Sequence, residues 1–317
     1  MKRTKVFFAL ILSMASVLFL SCIELDGFLF KGDAASLDDY DFTSDELDGI
    51  DPARLTSELI PSGDGQIHVV YITRDESELS EELSAAPPVT IVYSHGNSAN
   101  IKYYWYRAAY LEDMGFNVLM YDYRGYGAST GEASEENVYE DAMTAYEYAR
   151  KRQPNGMIIS YGYSMGGAPA IYLCSNENTA RPIACITEST FAGTQQMVDS
   201  SGYHIPSDWL LDTEFPSAER AKKVTIPFMI MHGTDDEVVG FAHSAVLWES
   251  VGKNNPLNRY YRVEGAGHRN LPVPSWNYDK ENLDKFSHPD QLPPLYHADY
   301  LTYKKRIVAF VADVMNL

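Results

Sequence analysis

Cysteine is nearly absent, with three in 317 residues. Cys22, Cys174 and Cys185 fall in no metal-ligand or redox spacing, so neither a zinc or iron site nor a disulfide framework is expected. Two cysteines of an exported protein are able to pair, but Cys174 and Cys185 read more simply as thiols of a large core. Basic residues are scarce as well. Lys and Arg number 25 against 44 Asp and Glu, a formal net charge of −19. A surface of that sign repels nucleic acid and anionic lipid, so no nucleic-acid partner is expected. The middle of the chain has no internal repeat and no low-complexity linker. At this length that favours one large domain with a well-buried core over two small ones.

Long apolar runs are missing too, except at the start. In "MKRTKVFFALILSMASVLFLSC" three cations precede an uninterrupted apolar stretch from Val6 to Leu20. A membrane span needs about 20 such residues, so the stretch fits the apolar region of a secretory signal better. The closing "FLSC" resembles a bacterial lipoprotein cleavage box, with Phe19 where leucine is more usual and Cys22 as the lipidated residue. The expectation is a signal peptide over 1–21 and an exported protein, lipid-anchored in a bacterial cell envelope. If Cys22 carries no lipid, the protein is periplasmic or secreted, or held by an uncleaved anchor. Losing Lys2, Arg3 and Lys5 with the signal takes the net charge from −19 to −22. Residues 22–52 are dense in acid and read as a solvated tether with "GFLF" as its packing point.

From 53 to 317 strand-like and helix-like stretches alternate. "GQIHVVYITR", "VTIVYSHG", "FNVLMYDYRG", "GMIISYGYS", "IACITEST", "IPFMIMHGT" and "NRYYRVEGAGH" read as strands. Between them "YYWYRAAYLEDMG", "SEENVYEDAMTAYEYARKR", "MGGAPAIYLCS" and "FAHSAVLWESV" read as helices, and "ADYLTYKKRIVAFVADVM" as a terminal one. In the second of these Val138, Ala142, Ala145 and Tyr146 share a face, and Ser134 stands where a cap belongs. Near-continuous apolar strands alternating with helices imply an α/β fold, a mostly parallel sheet covered on both faces. Ligands of such sheets sit at the carboxyl ends of the strands, where His95, Ser164, Asp236 and His268 all fall.

The stretch "GYSMGG" follows one of these strands and opens a helix. Alone, the pattern G-x-S-x-G arises by chance in roughly one chain in ten of this length. In context it is a strand-to-helix elbow, where small neighbours permit a strained backbone and Ser164 projects above the sheet. A serine hydroxyl is a poor nucleophile unless a base takes its proton, and that base needs an acid to hold its tautomer. Downstream, "HGTDDEVV" offers Asp235, Asp236 and Glu237, and "GAGH" ends on His268.

Taken together, "YSHGNSAN", "YDYRGYGAST", "GYSMGG", "HGTDDEVV" and "GAGH", in that order, resemble the α/β-hydrolase superfamily of serine hydrolases. The nearest branch holds monoacylglycerol lipases, prolyl-type aminopeptidases and protein-depalmitoylating hydrolases. The resemblance implies Ser164 as nucleophile, His268 as general base and Asp236, three residues after its glycine, as the acid. It implies an oxyanion hole from the backbone N–H groups of Asn97 and Met165. His95 and His232 are expected to brace turns, and Asp122 and Arg124 to be structural. The implied reaction is acyl transfer from a small or medium ester to water through an acyl-enzyme, with no cofactor and no metal.

In this superfamily the stretch matching 191–216 forms a cap beside the pocket, which makes Met197, Tyr203, Trp209 and Leu210 candidate pocket residues. A long insertion over 269–296, with Trp276, departs from the pattern and is expected to fold over the site and narrow substrate choice. The expected partner is a small-molecule ester, with the membrane reached only through the lipid and the chain monomeric. Two further readings are a prolyl-type aminopeptidase and a non-catalytic binding protein that keeps the fold.

Overall fold

Eight strands form one sheet. They are β1 (Leu55–Ser62), β2 (Gly65–Ile72), β3 (Val89–Ser94), β4 (Asn117–Tyr121), β5 (Met157–Tyr163), β6 (Ala184–Glu188), β7 (Phe228–Gly233) and β8 (Arg259–Val263). Their spatial order is β8-β7-β6-β5-β3-β4-β2-β1. All pairs are parallel except β1–β2 and β2–β4. This is the mostly parallel architecture expected of an α/β hydrolase. The computed structural model describes residues 29–40, 42, 47, 49–77, 87–176, 181–200, 212–251, 255–269, 271 and 294–316, with the backbone alone for 294–302. Cys22, Tyr203, Trp209, Leu210 and Trp276 lie outside the described residues, as do the signal segment and most of the 269–296 insertion.

The helices are α1 (Ile101–Asp113), α2 (Glu135–Arg152), α3 (Gly167–Ser175), α4 (Thr194–Ser200), α5 (Ser217–Ala221), α6 (Ala242–Ser250) and α7 (Pro294–Met315). Alternation along the central strands divides the core between the two faces of the sheet. Ile91, Tyr93, Val118 and Met120 pack with Trp105 and Leu111 of α1 and Phe310 of α7. Val92, Leu119, Tyr121 and Ile158 pack on the other face with Val138, Ala142 and Ala145 of α2 and Leu173 of α3. The central strands β3 to β7 are buried almost throughout, which is why they read as continuous apolar runs, while edge strand β8 is mostly half-exposed. The side chain of Ser134 accepts from the Asn137 N–H at 3.1 Å and caps α2.

Two features differ from the sequence reading. Strand β1 pairs antiparallel with β2 through a two-residue turn at Gly63 and Asp64, which extends the sheet by a strand. The acidic N-terminal segment is also packed onto the domain over part of its length. Lys31 and Gly32 pair with Ser98 and Ala99, Phe30 meets Phe215 edge-on at 6.1 Å, and the buried Tyr40 donates to Asp122 Oδ2 at 2.8 Å. Local composition hides this contact, because the two-residue pairing joins residues 67 positions apart, Lys31 with Ser98 and Gly32 with Ala99. Among the described residues no helix is long and apolar enough to cross a membrane.

Candidate active site

Strand β5 runs to Tyr163, and the chain turns at Ser164 with a left-handed φ of +54°. A non-glycine residue in this region is strained, and such strain persists only where the surroundings fix it. Here they do. Ser94 at the end of β3 pairs with Gly162 of β5, which brings the loop His95–Asn97 against the elbow. A Cβ on Gly166 would stand 2.0 Å from the Ser94 carbonyl oxygen, and one on Gly162 2.1 Å from that of Gly166. No side chain fits at either position.

Above the elbow the structure brings three distant residues together. Ser164 Oγ lies 3.0 Å from His268 Nε2, and His268 Nδ1 lies 2.9 Å from Asp236 Oδ2 and 3.1 Å from Oδ1. All three are buried. An ionised carboxylate only accepts, so the network assigns the imidazole proton to Nδ1 and leaves Nε2 to accept from the serine hydroxyl. Asp236 Oδ1 also accepts from the N–H groups of Val238 at 3.0 Å and Val239 at 2.7 Å. Burial by itself raises the Asp236 carboxyl. The hydrogen bonds from His232 and His268, the charge of His268 and the Val239 N–H outweigh it, so the group is held well below the usual carboxylate range.

The other two acids of "TDDE" take different places. Asp235 is exposed and accepts from the Thr234 hydroxyl at 3.2 Å. Glu237 reaches back to accept the backbone N–H of His268 at 3.2 Å, so it holds the histidine loop and is more than the solvated residue expected. Tyr163 adds a second brace, donating its hydroxyl to the His268 carbonyl at 3.1 Å with the two rings 5.3 Å apart.

Asn97 and Met165 flank Ser164. Met165 is in the first turn of the helix that follows the elbow, where backbone N–H groups have no partner within the helix. Asn97 is positioned through its carbonyl, which accepts from the Lys31 N–H at 2.9 Å and the Tyr126 hydroxyl at 3.2 Å. Beneath it, Asp122 Oδ1 accepts the Ile101 N–H at 2.9 Å and faces His95 Nε2 at 3.2 Å. The His95 ring is packed among Tyr104, Tyr123 and Tyr126. Arg124 ion-pairs with Asp64, Glu140 and Asp141. These groups hold the loops below the site.

A cavity of about 190 Å³ opens over Ser164 and His268 and is lined also by Asn97, Tyr104, Tyr163 and Val238. Lys31 and Arg269 stand in its wall. Met197, expected in the pocket, instead packs half-buried against the core cluster around Phe191 and Phe215. The reason is the course of α4, which turns its apolar side to the core. The tyrosines contributed by α1, namely Tyr103, Tyr104 and Tyr106, are the wall residues the sequence reading missed. Their one visible signal was the aromatic density of "YYWY" two residues after "HGNSAN". Among the described residues no group of three or more His, Cys, Asp or Glu is arranged to hold a metal ion.

Comparison with known proteins agrees with this architecture. The serine aminopeptidase (S33) family matches residues 85–218, the part from β3 to α5 that carries the elbow. An alpha/beta hydrolase domain-containing protein of Caenorhabditis elegans, aho-3, is 34% identical over 58% of this chain and 53% of its own length. Alpha/beta hydrolase domain-containing protein 17B of Homo sapiens is 32% identical over 58% of this chain and 62% of its own. The chain thus spans between half and two thirds of these relatives. An esterase of Pyrococcus furiosus superposes with a TM-score of 0.61 at 15% identity, covering 90% of this chain and 98% of that one. At that identity the likeness is one of fold.

Proposed function

Because the chain belongs to the α/β-hydrolase superfamily of serine hydrolases, we propose that it hydrolyses small or medium acyl esters through a Ser164–His268–Asp236 triad. The observation that carries this reading is the unbroken relay of 3.0 Å and 2.9 Å contacts on a strained elbow beside an open cavity. His268 Nε2 takes the Ser164 proton as Oγ attacks the ester carbonyl, and Asp236 stabilises the imidazolium that forms. Charge developing on the carbonyl oxygen is met by the N–H groups of Met165 and Asn97. Collapse of the tetrahedral intermediate expels the alcohol, which takes the proton from His268. Water, activated by the same histidine, then releases the acid from the acyl-enzyme and restores Ser164.

Amide cleavage is the second reading, favoured by the S33 match. Recognition of a free α-amino group calls for an acid near the nucleophile, yet the described cavity wall holds Lys31 and Arg269 and no Asp or Glu. A panel of p-nitrophenyl esters beside aminoacyl anilides separates the two. The ester reading expects turnover of the esters, lost in Ser164→Ala; faster turnover of the anilides would replace it with a peptidase. We further propose that lipid on Cys22 holds the exported enzyme at a membrane. Cys22→Ser should move it from the membrane to the soluble fraction, and unchanged fractionation contradicts the anchor.

A further inference from the structure

We propose that the site selects esters that carry an anionic group, a carboxylate or a phosphate, close to the scissile bond. The inference rests on the hydrolase reading above and specifies its substrate class. Across the chain acids outnumber bases by 44 to 25, yet the wall of the catalytic cavity reverses the balance, with two cations and no acid among the described residues. Local potential at a cleft follows the charges that line it, so this opening attracts anions although the molecule as a whole repels them.

Both cations are placed by the catalytic machinery itself. Lys31 donates its backbone N–H to the carbonyl of Asn97 and sits in the short strand pairing beside that loop. Arg269 directly follows His268, whose own N–H is taken by Glu237. The two therefore stand on the oxyanion side and the base side of Ser164. Both side chains are exposed, and neither has an acidic partner among the described residues. A cation beside a nucleophile with no acidic partner among the described residues is available to a ligand. The packed N-terminal segment thereby acquires a role, since it carries one of these charges to the cavity.

The test uses the full chain and two matched pairs of esters. One pair sets 4-nitrophenyl hydrogen adipate against 4-nitrophenyl hexanoate, with the anion on the acyl side. The other sets a butyryl ester of glycerol phosphate against glyceryl monobutyrate, with the anion on the alcohol side. The readout is the ratio of kcat/KM, anionic over neutral, within each pair. At least one ratio should exceed about fivefold, and the pair that shows it tells a carboxylate-bearing acyl group from a phosphate-bearing alcohol. Exposed ion pairs contribute modestly, so Lys31→Ala and Arg269→Ala should each lower that ratio about two- to fivefold. The double change to Glu should bring it below one, and raising salt from about 0.02 to about 0.5 M should shrink it. Lys222→Ala, the same one-unit loss of charge as each alanine change but at a surface pair with Glu219 away from the cavity, should leave the ratio where it was. Neutral esters turned over with both ratios near one, or ratios indifferent to the Lys31 and Arg269 changes, overturn this inference and leave the hydrolase reading standing. No turnover of any of the four overturns both.

Discussion

His232 and His268 hold the same oxygen of one carboxylate: Asp236 Oδ2 lies 3.1 Å from His232 Nε2 and 2.9 Å from His268 Nδ1. His232 Nε2 also faces the Val239 carbonyl at 2.8 Å, and a carbonyl only accepts, so this nitrogen carries the proton. His232 is therefore a donor to the Asp236 carboxylate as well as the brace of its turn. The relationship follows from chain geometry, since His232 is the fifth residue of β7 and Asp236 lies four positions on, where the turn curls back over the strand end.

Replacing His232 by Phe removes that donor while keeping a ring. A hydrogen bond to a charged group contributes about 1.5–3 kcal/mol, and urea unfolding of the variant should show a loss of that size. The Asp236 carboxyl, now less depressed, should rise. A carboxylate whose folded pKa is lowered stabilises the fold above its unfolded value and ceases to do so as pH falls through the folded one. In the variant the folded value lies nearer the unfolded one, so the acid-side loss of stability is smaller and is complete at a higher pH, and an unchanged acid limb in stability or kcat contradicts the role.

Gly166→Ala tests the elbow. Its new Cβ would meet the Ser94 carbonyl oxygen at 2.0 Å, a backbone atom that cannot swing aside. Overpacking of this kind costs about 1–3 kcal/mol and occasionally more. Thermal unfolding should show that loss, together with a fall in kcat because Ser164 and the Met165 N–H are displaced. Gly240→Ala, where an added Cβ meets nothing within 4 Å, should be near neutral.

Behind the site Arg107 Nη1 pairs with Glu188 Oε1 at 2.7 Å, both buried, and the guanidinium lies 3.9 Å over the Tyr163 ring. Arg107→Met strands the Glu188 charge and should cost about 3–5 kcal/mol. The double change Arg107→Met with Glu188→Gln removes both charges and should recover part of that loss. Denaturant midpoints of the two variants make the comparison, and equal destabilisation would argue against a charge-pair origin.

His243 predicts a second pH dependence. It is buried, and its Nδ1 accepts the Ala192 N–H at 3.2 Å. Burial first, and then the neighbouring His232, push its pKa down to about 4, against a partial opposing pull from Asp236. The unfolded chain binds a proton near the ordinary value of about 6.5, so stability is full above that pH and falls until pH reaches about 4. The loss is on the order of 3 kcal/mol. Unfolding at pH 7.5 and pH 5 should show this slope, and His243→Asn, which keeps an acceptor and cannot titrate, should flatten it.

Much of the architecture was legible because the motifs sit at strand ends. "VTIVYS", "MIISYGY" and "FMIMHG" are apolar on both faces because helices cover both, and each ends within three residues of Asn97, Ser164 or Asp236. The family resemblance of the ordered motifs places Ser164 and His268, and Asp236 by its distance from a glycine. The less legible parts depend on partners far away in sequence. Lys31 stands in an acid-rich stretch whose pairing with Ser98 and Ala99 leaves no local pattern. Nothing in the sequence around Arg107 points to Glu188, 81 positions on, with which it pairs in the core. Met197 was misplaced because proximity in sequence to the cap does not say which side of α4 faces the core.

The central claim is that Ser164 is a nucleophile activated by His268. Incubation with a fluorophosphonate, followed by intact mass and peptide mapping, tests it directly. Wild type should gain one adduct mapped to the peptide "GYSMGG", with labelling abolished in Ser164→Ala and slowed by at least about 1,000-fold in His268→Ala. A folded wild-type protein that gains no adduct, or one that maps to another residue, would contradict the account.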